Sequence, residues 1–168
     1  MNTSRLPKLA VTALAVAASA LLFAAQSTPA SGSSSVNSGR EVLTLAVPWT
    51  GGHQQYVDLG AKGMGPGDLF LTTDVPVLNN TTGARIGTTD GVELIVSALH
   101  DGTVTNQMTF RLPGGHVDVN GVVRHTDQPF RVPVVGGTGR YARVRGQLTL
   151  LREDERRKVE VFQLDLRH

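Results

Sequence analysis

Two acids, Asp74 and Glu93, mark the stretch GDLFLTTDVPVLNNTTGARIGTTDGVE, residues 67–93, because each sits in a run that otherwise alternates like a strand. A carboxyl inside an apolar enclosure has its pKa pushed towards neutrality, which suits it to general acid work. Side chains in a strand have period two. Asp68, Phe70, Thr72 and Asp74 should then share one face, opposite Leu69, Leu71, Thr73, Val75 and Val77. In the next run, Glu93, Ile95, Ser97 and Leu99 should lie opposite Val92, Leu94, Val96 and Ala98. Acids on the mixed faces of neighbouring strands predict a lined cavity. The competing reading leaves Asp74 at a solvated rim and turns Glu93 outward to a surface arginine. An uncompensated buried carboxylate is expensive, so an inward Glu93 must be neutral or paired, with Arg145 a candidate partner. Arg145 has its own alternative, an exposed basic strip with Arg140 and Arg143.

Other chemistries find less support. His53, His100, His116, His125 and His168 are scattered without metal-ligand spacing, and His116-x-Asp118 alone is a poor zinc signal, so no metal is expected. No nucleophile elbow is present. The run Gly136-Gly137-Thr138-Gly139 lacks the Lys-Ser/Thr of a phosphate loop and suits a sharp strand bend instead. Trp49 is the single Trp, which leaves little for nucleobase stacking. Asn79 and Asn80 each open a glycosylation sequon.

The elements that must position these residues are strands. The chain has 168 residues, no cysteine, and 16 Lys+Arg against 14 Asp+Glu. Arg5 and Lys8, followed by the apolar run from Leu9 to Ala25, outline a secretory signal peptide over residues 1–30; a membrane anchor is the alternative. Cleavage after Ala25, Ser27 or Ala30 is left open. Those two basic residues account for the whole cationic excess, so the rest is neutral and no nucleic-acid partner is expected. Residues 31–40, rich in Ser and Gly, read as a flexible linker. Residues 41–168 then form one domain.

Within it, strands are expected over Glu41–Trp49, Gln54–Leu59, Phe70–Val77, Ala84–Gly87 and Gly91–Leu99. A tight hairpin at His100-Asp101-Gly102 leads to Val104–Leu112, where Asn106, Met108, Phe110 and Leu112 share a face. His116–Val119 should turn at Asn120-Gly121 into Val122–Thr126, followed by Phe130–Val135, Tyr141–Leu151 and Val159–Leu166. No helix-length apolar period of 3.6 is present. The pattern predicts an all-β sandwich or barrel, and a barrel of about eight strands can hold one small ligand.

Three segments, taken in order, resemble the allene oxide cyclase barrel superfamily, which includes the dirigent proteins. They are Gly67-Asp68-Leu69 with Asp74-Val75-Pro76, then Arg85-Ile86-Gly87-Thr88 with Asp90-Gly91-Val92-Glu93, and finally VGGTGRYARVRG from Val135 to Gly146. The last is similar to the dirigent signature, with Val144 replacing its Ala. The resemblance implies an eight-stranded antiparallel barrel that binds a reactive lipophilic molecule without cofactor or metal. It also implies secretion and leaves a homodimer or homotrimer open. Some bacterial members fold a polyene for intramolecular cycloaddition. Asp74 falls where the plant cyclases have a cavity Asn and the dirigents an acid, Glu93 where the cyclases have a cavity Cys, and Arg145 on the signature Arg. The cyclases' Glu-x-Asn pair on the first strand is absent, since Leu43 to Val47 is apolar, so allene oxide is not the expected substrate.

The resulting expectation is a secreted cyclase, isomerase or stereo-directing barrel that orients a small lipophilic intermediate. Asp74, Glu93 and Arg145 would be catalytic, and Phe70, Thr72, Ile95, Ser97, Asn106, Met108 and Phe110 would contact substrate. The alternatives are a barrel that only binds a lipophilic metabolite and a structural β-domain with a filled interior.

Overall fold

The computed structural model describes residues 39–97, 102–124, 126–127 and 129–168. The signal peptide, nearly all of the linker, and the His100-Asp101 hairpin residues lie outside them. Nine strands are present among the described residues: β1 (Arg40–Pro48), β2 (His53–Val57), β3 (Leu69–Asn79), β4 (Arg85–Ile95), β5 (Thr103–Leu112), β6 (Gly115–Arg124), β7 (Arg131–Gly137), β8 (Arg145–Asp154) and β9 (Val159–Arg167). All pairings are antiparallel, in the order β1-β9-β8-β7-β6-β5-β4-β3-β2. Leu45 and Ala46 of β1 also pair with Asn79 and Leu78 of β3, which closes eight strands into a barrel. The short β2 pairs with the first half of β3, from His53 opposite Thr73 to Val57 opposite Leu69. Closure joins the edges of the eight barrel strands, so among the described strands the short β2, which pairs only with β3, keeps a free outer edge.

Alternation decides what fills the barrel. Leu45, Val77, Phe110, Leu148, Leu164 and Leu166 are all fully buried and belong to one continuous core. Phe110 and Phe162 meet across the middle, ring centroids 6.5 Å apart at 68°. β5 and β9 lie on opposite sides of the barrel, so this edge-to-face pair divides the interior into two ends.

Three expectations about the strands are corrected. Ala84–Gly87 and Gly91–Leu99 are parts of one continuous strand, β4, which ends at Ile95. Asn120-Gly121 is no hairpin but lies within β6, opposite Gln107 and Asn106. Gly121 faces inward at a close approach, where a Cβ would sit 3.1 Å from Pro133 Cδ and 3.2 Å from Val132 Cγ1. The glycine there serves packing rather than a turn. The expected strand from Tyr141 instead begins at Arg145, because Gly139–Tyr141 forms a 3-10 turn.

That turn seals one end. Arg140 N donates to Gly114 O (2.9 Å), Thr138 N donates to His116 O (2.9 Å), and Tyr141 is 2% exposed among the core residues. Gly139 has φ +58°, and a Cβ on it would collide with the Gly114 carbonyl. Nearby, Glu41 accepts from Arg140 Nη2 (2.7 Å) and lies 3.3 Å from His168 Nε2.

Candidate functional site

The opposite end is where β1, β4, β6 and β8 finish and β3, β5, β7 and β9 begin. Directly paired residues on antiparallel strands share a face. Phe70 pairs with Glu93, Glu93 with Asn106, and Asn106 with Gly121, so this row points into the barrel together. Asn106 is 4% exposed and its Nδ2 donates to Glu93 Oε1 at 2.7 Å. Its Oδ1 has no hydrogen-bond partner, nor does the buried Thr89 hydroxyl two inward positions deeper on β4.

A second carboxyl comes from the far side. On β9, Glu160, Phe162, Leu164 and Leu166 alternate with outward residues, and Glu160 pairs with Val47 of β1. Counting up from the Phe110–Phe162 contact, Glu160 is the next inward residue on β9, and Met108 then Asn106 are the next on β5. Glu160 thus stands in the same mouth as Glu93 and Asn106. Burial pushes its carboxyl up to about 7, and the charges of Glu93 and Glu153 add to the shift. Such a group gives up a proton readily near neutral pH. It is the residue that sequence reading missed, yet the pattern was there: a strand that alternates Phe162, Leu164 and Leu166 inward also puts Glu160 on that face.

The rim is built by β2 and the following loop. The Tyr56 ring packs on Phe70, centroids 5.1 Å apart, and its hydroxyl donates to Asp68 Oδ2 at 2.6 Å. Asp68 is buried and also accepts from Leu59 N (2.9 Å) and Gly65 N (2.6 Å), which pins the loop before β3. The Tyr56 hydrogen bond, followed by that from Leu59 N, holds the Asp68 carboxyl below its ordinary range. The same bond pushes the Tyr56 hydroxyl up to about 12. This carboxylate is a fastener for the rim.

No family model matches the sequence, and no curated protein does. Solved structures do match. A pyocyanin demethylase superposes with a TM-score of 0.62 at 25% identity, covering 74% of this chain and 98% of that one. A pterocarpan synthase dirigent protein gives 0.57 at 18%, covering 77% and 94%. A Diels Alderase from Streptomyces koyangensis gives 0.58 at 22%, covering 77% of this chain and 64% of that one. The chain shares the β-barrel fold of these three proteins, the dirigent protein among them.

On this dirigent-like barrel the expected site residues separate into two groups. Phe70, Thr72, Glu93, Ile95, Asn106, Met108 and Phe110 all face the interior. Phe70, Thr72, Glu93 and Met108 remain partly exposed, as a mouth requires. Ser97 lies past the end of β4, where its backbone N donates to Thr103 O at 3.0 Å. Asp74 and Arg145 are corrected. A β-bulge between Thr72 and Val75 shifts the phase of β3, so Val75 and Val77 take the inward positions and Asp74 is left exposed with φ 55°. The Asp74 backbone N donates to Asp90 Oδ1 at 2.8 Å on the outer surface. Arg145 pairs with Arg167 on the outside while Gly146 faces in, so it cannot neutralise Glu93. Among the described residues no group of three or more His, Asp or Glu is placed to share a metal ion.

Proposed function

We propose that this exported barrel holds a small lipophilic intermediate in its acidic mouth and directs its isomerisation or cyclisation. The observation that carries the reading is the convergence of two carboxyls, Glu93 and Glu160, above an apolar floor made by Phe110 and Phe162. A cyclisation or isomerisation leaves the molecular formula unchanged. It needs at most a proton delivered at one atom and a proton removed at another. One carboxyl that carries a proton near neutral pH and a second fixed as an acceptor by Asn106 supply both, and the proton that Glu93 takes up must pass back to Glu160, directly or through water, before the next turnover. Phe70, Met108 and Phe110 would hold the apolar body of the substrate, and orientation alone contributes several kcal/mol when it enforces a near-attack geometry. The structural neighbours bear names of a demethylation, a pterocarpan synthesis and a Diels–Alder reaction, so the fold supports work on small organic molecules without selecting the reaction.

The test is mass-conserving turnover. Incubation with a lipophilic extract of the producing organism should consume a compound and yield an isomer of identical mass. Both Glu93→Gln and Glu160→Gln should slow that conversion at least tenfold. A ligand recovered chemically unchanged, with no isobaric product, would favour the purely binding barrel.

A further inference from the structure

Among the described residues the mouth offers hydrogen-bond acceptors, and apart from the Thr89 hydroxyl deeper on β4 its donors are already engaged. Asn106 Nδ2 is held by Glu93 at 2.7 Å, the Tyr56 hydroxyl by Asp68 at 2.6 Å, and the Thr72 hydroxyl by Gly91 O at 3.4 Å. What remains is Asn106 Oδ1, buried and without a partner, and the Glu160 carboxyl, which no hydrogen bond or ion pair joins to the other described residues. The Asn106 amide cannot turn its oxygen away, because rotation would set that oxygen against the acceptor oxygen of Glu93. A buried acceptor left unpaired costs free energy comparable to a lost hydrogen bond, and an acidic group in an apolar wall costs more. A ligand that brought both a positive charge and N–H donors would relieve the two together. A neutral hydrocarbon would relieve neither.

Resting on the ligand-holding reading above, we propose that the barrel takes a lipophilic amine, its ammonium group lodged between Glu160 and Asn106 Oδ1 and its apolar body on Phe110 and Met108. Two of the ammonium's three N–H donors match the two unfilled acceptors. The bound ammonium carries the proton that Glu160 would otherwise hold, so the mouth retains one transferable proton.

Isothermal titration calorimetry of the purified protein with three matched probes tests this: 1-naphthylmethylamine, 1-naphthalenemethanol and 1-naphthoate. The amine should bind at least tenfold tighter than the alcohol, and the carboxylate weakest of all. Glu160→Gln should bring the amine within about twofold of the alcohol while the alcohol's affinity stays unchanged. Asn106→Leu should weaken the amine more than the alcohol and serves if the first variant does not fold. Glu155→Gln, at an exposed acid, should leave the preference intact. Equal affinity for amine and alcohol, or a preference that survives Glu160→Gln, overturns the amine assignment and leaves the ligand-holding reading standing. Failure of all three probes to bind removes both.

Discussion

The two ends of the barrel use the same residue type in opposite ways. At the sealed end, Glu41 lies beside Arg140 and His168, and the Gly139–Tyr141 turn packs over the opening. At the other end, Glu160 has an apolar neighbour in Val47 and acids in Glu93 and Glu153. A carboxylate given cations is part of the scaffold. One set among apolar side chains and other acids destabilises the fold it belongs to, and such destabilisation concentrates where a protein does chemistry.

Substitutions that break this contrast should rank by how much backbone or charge they disturb. The largest effect belongs to the sealed end. Gly139→Ala adds a Cβ against the Gly114 carbonyl at a positive φ, and it should cost more than about 4 kcal/mol or prevent folding, read by chemical denaturation.

Next comes Glu160→Gln. The folded pKa of Glu160 is raised above its ordinary value, so between about 4.5 and 7 the folded state binds more protons than the unfolded one. Wild-type stability should therefore fall as pH rises through that window and stay flat above it. The glutamine variant should gain on the order of 3 kcal/mol over wild type at pH 8 and nothing at pH 4. Urea unfolding at both pH values reads this directly. Glu41→Gln should have the opposite sign, losing about 1 kcal/mol at neutral pH because its partner Arg140 is half exposed. The smallest effect is expected from Asp74→Asn. Asn tolerates the left-handed backbone at the bulge, so stability should change by less than about 0.5 kcal/mol and turnover not at all.

Much of this was legible in the sequence. Period-two alternation placed Glu93, Asn106, Met108 and Phe110 on inward faces, and the segment from Val135 to Gly146 pointed to the barrel that the structure shows. Asp74 failed because a bulge inserts one residue and reverses the phase of everything after it, and Thr-Thr-Asp-Val carries no local mark of that insertion. Asn120-Gly121 failed because a dipeptide that favours a hairpin turn also fits an extended strand where a neighbour leaves no room for a Cβ. Arg145 and Glu160 were decipherable from alternation alone. Gly146, Leu148 and Leu150 leave Arg145 outside, and Phe162 and Leu164 bring Glu160 inside. What no single strand reveals is that Glu160 and Glu93 meet, since that depends on closing eight strands into a ring.

The most direct test of that meeting is a pH titration of the Glu160 carboxyl by 13C NMR on glutamate-labelled protein, in wild type and in Glu93→Gln. A midpoint near 7 that moves down when the Glu93 charge is removed is the expected result. A midpoint at the ordinary glutamate value in both proteins would mean that the two acids do not share a dry mouth.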